Sequence, residues 1–304
     1  MSISFYIKNK KKFLGYEAVL NVESALTILD KELNTYNTSN IDINDLLLSP
    51  VSNYECLLIG EDKVSARGFE LSYDNKDKNY AVRVFTPSSK EDWLLALDYI
   101  KALAKKFGSE IINERGEVYT IDNIDKFNYE NDILFGINSI SLKINDEVDK
   151  YIIFGINRVV TFDSGMIEKI YSSANPIDTF SNIVKEIQYL DAYSAHQQFY
   201  KNNEDHRIMG AYTLTENLRT ILPYKPSVEF ENSNIVKNDE ISFWNIGFVV
   251  INGDENDPNS YQVAGNMNYE DFIKKLPINK YKFIDASYIM VEPLSKEEIL
   301  ELLK

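Results

Sequence analysis

This 304-residue chain has one cysteine, two histidines and no apolar run near the ~18 residues of a membrane-crossing helix. With Cys56 alone there is no intrachain disulfide. Its setting, Y-E-C-L-L-I-G, reads as a buried structural thiol rather than a nucleophile. His196 and His206 stand ten residues apart, which fits neither a helical zinc pair nor a finger spacing. Asp191, Glu204 and Asp205 could complete a nitrogen–oxygen site with them. Two surface histidines on a polar segment is the preferred reading. Residues 254–257, D-E-N-D, offer oxygens without the alternating ligands and glycine turn of a calcium loop. There is no nucleophile elbow, phosphate-cradling glycine loop, dinucleotide fingerprint or paired-cysteine site. No cofactor and no metal are therefore expected, although a carboxylate pair built from distant segments leaves no linear motif.

Positive charge is short as well: 32 Lys and Arg stand against 47 Asp and Glu, a net charge of −15. That balance counts against nucleic acid and against an anionic membrane as partner, because both need clustered basic side chains. It allows another protein, cationic in character, but most acidic proteins are simply soluble. The opening M-S-I-S-F-Y-I-K-N-K-K-K lacks the basic-then-apolar order of a secretion signal, so the cytoplasm is the expected compartment. Residues 8–12 allow a phosphate-binding reading; a solvated hairpin tip is preferred.

What is present is aromatic and strand-rich: 20 tyrosines and 16 phenylalanines supply real cores, and the length suggests about two domains. The clearest folding signals lie in residues 65–120. Phe69, Leu71 and Tyr73 alternate with polar neighbours, and Tyr80, Val82 and Val84 alternate with a second, mostly apolar face. D-N-K-D-K-N joins them as a polar hairpin loop. Ser88 and Glu91 make a capping box for a helix whose stripe is Trp93, Leu97, Ile100, Ala104 and Phe107, widened by Leu94 and Leu103. Gly108 ends that helix, and a second hairpin turns at E-R-G-E.

The runs S-A-R-G-F-E-L-S-Y-D, Y-A-V-R-V-F-T-P-S and I-I-N-E-R-G-E-V-Y-T resemble the core of an uncharacterised bacterial family, domain of unknown function family 4299. The opening S-I-S-F-Y-I-K-N-K-K-K and T-I-L-P-Y-K-P-S-V are similar too, so the likeness spans most of the chain. The resemblance implies a soluble bacterial protein and transfers no mechanism.

Beyond residue 120 the expectations are a domain boundary in the acid- and Asn-rich stretch 121–132, then a long hairpin from 133–144 and 151–162. A helix opens at Asn175-Pro176 and continues to about residue 201, and a short helix covers 216–221. Ser295 and Glu298 form a capping box for the last helix, with Leu294 stapled onto Ile299. Residues 254–272 loosely echo residues 74–93, as polar loop, returning strand and helix opening; chance similarity is the preferred account.

The fold expected is α+β, with two domains, 1–125 and 126–304, each a mainly antiparallel sheet with helices packed on one face. Arg67 and Arg83 sit on adjacent strands, where a guanidinium forms an ion pair with Glu70 or Glu91 or holds an anionic group. With His196 and His206 they are the candidate binding residues. The function expected is non-enzymatic binding or regulation; the alternative is a hydrolase-like enzyme with an unrecognised carboxylate or histidine site.

Overall fold

The structure, a computed structural model, describes residues 1–304. The chain divides into two compact units, Met1–Leu190 and Asp191–Lys304.

The first unit contains β1 (Ser2–Lys8), α1 (Val22–Leu26), β2 (Leu33–Thr35), α2 (Ile43–Leu48), β3 (Leu57–Glu61), β4 (Phe69–Asp74) and β5 (Asn79–Phe85). There follow α3 (Lys90–Phe107), β6 (Ile111–Asn113), β7 (Val118–Tyr119), α4 (Tyr129–Asp146), β8 (Tyr151–Phe154), β9 (Val159–Phe162), α5 (Ser164–Tyr171) and α6 (Pro176–Gln188). Seven strands form one sheet in the order β2-β3-β4-β5-β1-β6-β7, antiparallel throughout, with β8 and β9 a separate hairpin. β5 is the middle strand; Tyr80, Val82 and Val84 on one face are buried, while Ala81 and Phe85 on the other are half-buried beside the exposed Arg83. Alternation buries Ile3, Phe5 and Ile7 of β1, Phe69 and Leu71 of β4, and Val82 and Val84 of β5.

α3 lies over that face. The Trp93 ring meets Phe5 edge-on at 6.4 Å, and Phe107 stacks on Tyr80 at 4.9 Å. Its cap is Ser89, one residue later than expected: Ser89 Oγ accepts from Asp92 N at 3.1 Å. The shift frees Ser88 to donate to Asp92 and places Asp92, not Glu91, in the third helical position. The expected stripe is buried, but Leu94 is 45 % exposed, while Leu95 and Tyr99 are covered. Tyr99 packs on Phe69 of β4 at 4.8 Å and donates to Ala25 O of α1 at 3.0 Å, and α4 and α6 also pack against α3. Gly108 caps the helix in the left-handed region at φ 61°.

Residues 126–190 belong to this unit, so the contact division falls at 190/191 and not in the stretch 121–132. Thr86 Oγ1 donates to Asp132, Ala66 O accepts from Ile156 N at 3.0 Å, and Tyr189 Oη donates to Ser65 O at 2.7 Å. Residues 133–144, expected as a strand, are the body of α4; the hairpin there is only β8 and β9. Ile133, Ile137, Ile140 and Ile144 define the helix's buried face.

The second unit holds β10 (Tyr193–Ser194), β11 (Gln198–Lys201), β12 (Ile208–Thr215), β13 (Thr220–Pro223), β14 (Ile241–Ile251), β15 (Tyr261–Asn268), α7 (Tyr269–Lys275), β16 (Tyr281–Phe283), β17 (Tyr288–Val291) and α8 (Lys296–Leu302). Two sheets, β10-β13-β17-β16 and β11-β12-β14-β15, are mainly antiparallel; β10 with β13 and β12 with β14 run parallel. Tyr212, Leu214, Ile246, Phe248 and Val250 pack with Leu222, Ile289 and Val291 and with Phe272, Ile299 and Leu302 in one core. The expected helix to residue 201 stops at Gln188, and the expected helix at 216–221 is instead the turn from β12 into β13, with Asn217 at φ 57°. The capping box of Ser295 and Glu298 is present. Hairpin then helix occurs twice, as β4-β5-α3 and β14-β15-α7, matching the weak echo in sequence.

Candidate functional site

Alternation along β12 and β14 sends large apolar side chains inward and leaves small ones outward. Tyr212 and Leu214 face the core while Ala211 and Thr213 face away; Ile246 and Phe248 face in while Asn245 and Gly247 face away. The parallel register sets Ala211 opposite Asn245 and Thr213 opposite Gly247. Short side chains in the middle, with Tyr200, Met209, Val249 and Val263 around them, leave a trough of about 480 Å³ on the outer sheet face. Gln198, Asn245 and Asn266 contribute amides. None of its thirteen lining residues is an acid, a lysine, an arginine or a histidine. With 26 % of the chain charged, about three would be expected. The surface therefore presents neutral donors and acceptors beside apolar contact area, the lining of a site for an uncharged ligand. Gly247 has open space where a Cβ would stand, its nearest neighbour being Tyr212 O at 3.9 Å.

At the margin of the same unit's core, Glu229 accepts from Tyr212 Oη at 3.3 Å and from Tyr288 Oη at 3.4 Å. Burial pushes its carboxyl above the ordinary range; the tyrosine hydrogen bonds and the positive potential of His196 oppose that. Gln197 clamps the segment: its amide nitrogen donates to Tyr212 Oη and Ser227 O, and its oxygen accepts from Glu229 N and Asn232 Nδ2.

The residue-level expectations come out as follows. Arg67 is buried; Nε donates to Phe154 O at 2.8 Å and a terminal nitrogen donates to Pro87 O. Burial lowers its pKa to about 10, and the Asp92 charge works against that shift. Arg83 is exposed and pairs across the strands with Glu70 at 2.6 Å. Both guanidiniums lie over the Phe85 ring, at 4.7 and 5.4 Å. His196 is exposed, its ring edge-on to Tyr193 at 6.0 Å, and His206 sits in the turn between β11 and β12 at φ 57°. The structure thus gathers the two arginines round one ring, and the histidines belong to the second unit. No three His, Cys, Asp or Glu are grouped to hold a metal ion. Cys56 is half-buried, and burial beside Glu70 pushes its thiol up to about 11.

A family model described as Domain of unknown function (DUF4299) matches residues 2–302. The chain belongs to that family. No curated protein and no solved structure matches it. In this DUF4299 protein the trough escaped linear reading because four strands build it, and two of them were not expected: β11 lies where a helix end was read, and β12 where no element was assigned to most of its length. The one available signal was the outward set N-x-G-x-V on the strongly apolar β14.

Proposed function

We propose that this protein is a non-enzymatic, cytoplasmic binding or regulatory protein that holds an uncharged, extended segment of another protein in the sheet-face trough. The observation that carries this reading is the absence of formal charge from a thirteen-residue concave lining in a chain of net charge −15. Amides and a hydroxyl match the N–H and C=O groups of an extended backbone, while Met209 and Tyr200 give adaptable apolar contact. The acidic surface outside the trough favours a partner whose remaining surface is cationic. The cytoplasm suits a single thiol held protonated by burial. Selection from a random twelve-residue peptide library on the immobilised protein tests the reading. Enriched peptides poor in Asp, Glu, Lys and Arg, which perturb the amide resonances of Ala211, Thr213 and Gly247, support it. No enrichment, or enrichment of charged peptides that perturb other residues, sinks it.

The alternative is a hydrolase-like enzyme using Glu229, favoured by one carboxyl held between two phenols with an imidazole's field upon it. Turnover of ester or glycoside probes that Glu229→Gln abolishes, with folding intact, would select it over the binding reading.

A further inference from the structure

The hairpin that follows β1 ends in an apex that a soluble turn avoids. Lys12 N bonds to Gly15 O at 2.9 Å, closing a four-residue turn whose middle residues are Phe13 and Leu14. Turns favour Gly, Asn, Asp and Pro at those places; here two bulky apolar side chains stand 102 % and 86 % exposed. Neither contributes to the core, so packing does not explain them.

The surroundings are equally unusual. Asn9 N bonds to Lys78 O at 2.9 Å, and Lys8 N bonds to Ser109 Oγ at 3.1 Å. Three neighbouring segments, the hairpin 8–17, the β4–β5 turn 74–79 and the end of α3 with the residues after it, 105–110, therefore meet at one end of the seven-stranded sheet. They carry eight lysines, Lys8, Lys10, Lys11, Lys12, Lys76, Lys78, Lys105 and Lys106, against four carboxylates, Glu17, Asp74, Asp77 and Glu110. This pole is net +4 in a chain of net −15. Screening over ~8 Å at physiological ionic strength lets a local pole act apart from the sign of the whole molecule. The expectation against an anionic membrane treated the charge as uniform, and it is not.

We infer that this pole is a peripheral docking tip for an anionic lipid bilayer, with Phe13 and Leu14 entering the headgroup region and the lysine ring facing the lipid charge. Apolar insertion and basic attraction are the two signals that together hold a peripheral protein on a bilayer. A nucleic acid would use the lysines but leave the apolar pair without a partner, so the bilayer is the occupant the geometry fits. The inference is independent of the trough, which lies in the other unit.

Co-sedimentation of the full chain with vesicles of phosphatidylcholine alone, or mixed with phosphatidylserine, is the test. We expect binding only to the mixed vesicles, weakened by high salt and lowered about tenfold by each of Phe13→Ser and Leu14→Ser, with melting temperatures unchanged. Phe13→Trp should give a blue-shifted emission with the mixed vesicles alone. Failure to sediment with phosphatidylserine vesicles overturns the proposal, and so does binding that Phe13→Ser/Leu14→Ser leaves intact. Retention on duplex RNA in place of vesicles also overturns it.

Discussion

Asp92 is a fully buried carboxylate at the start of α3 that accepts from three consecutive backbone N–H groups, those of Ala66, Arg67 and Gly68, and from Ser88 and Ser89. Its pKa is raised by burial, and those hydrogen bonds, which depend on the shape of the loop, pull the other way. Gly68 at φ 64° is part of that shape: a Cβ there would stand 2.3 Å from Ile59 O. Arg67 pins the same loop to the carbonyls of residues 87 and 154. Arg67→Met should therefore cost about 3 kcal/mol by leaving buried carbonyls unpaired, whereas Arg83→Met, which breaks a solvent-facing pair, should cost under ~1 kcal/mol. Thermal melting of the two variants checks the contrast. The sequence made the Arg83 and Glu70 pair legible because they are cross-strand neighbours. It hid Arg67's partners because they come from distant, irregular segments.

Asp132 gives a pH prediction. Burial pushes its carboxyl up to about 6, while hydrogen bonds from Thr86 and the Arg115 charge pull the other way. A carboxyl raised in the folded state supports folding most fully below its unfolded pKa of ~4 and loses that support as pH rises through about 6. Asp132→Asn removes the titration. Its stability relative to the parent should therefore improve as pH climbs from ~4 to ~7, measured by urea unfolding at each pH. A difference that stays flat over that window would contradict the assignment.

Among the elements, α3 was readable and α4 was not, for one physical reason. The apolar residues of α3 fall mainly where they are buried, with Leu94 the exception. In α4 the buried isoleucines are interleaved with Leu134, Phe135 and Leu142, all exposed, and the sum of the two sets imitates the alternation of a strand. The cap of α3 was misplaced by one residue because adjacent serines are equivalent in sequence, and only the local bond from Asp92 N to Ser89 Oγ separates them. Ser89→Ala should cost about 1 kcal/mol or more, since it removes both the cap and a hydrogen bond to the buried carboxylate. Equal melting temperatures for Ser89→Ala and the parent would show that the cap lies elsewhere. In the second unit, parallel pairing of β12 with β14 joins strands separated by β13 and an irregular segment, a connection that no local periodicity announces.

At the scale of the whole molecule, composition predicted an acidic α+β protein of two parts, and the contacts divide the chain into two compact units at 190/191. The acid-rich stretch near residue 125 read as a domain boundary; it is anchored to the first unit by the buried Ile124 and by Lys101 pairing with Asp125, while most of its polar side chains stay exposed. Residues 191–304, with a core of their own, should fold cooperatively when expressed alone, whereas a fragment starting at residue 126 would carry the buried faces of α4 and α6 into water. The two proposed surfaces lie in different units and answer to different chemistry, neutral in the trough and basic at the tip. The trough is the central claim, and Gly247→Leu addresses it most directly, because a side chain there enters open space on a strand whose inner face is untouched. Isothermal titration of a library-selected uncharged peptide into the parent and the Gly247→Leu variant is the measurement. We expect at least a tenfold loss of affinity with an unchanged melting temperature; equal affinity for the two proteins would contradict binding at the sheet face.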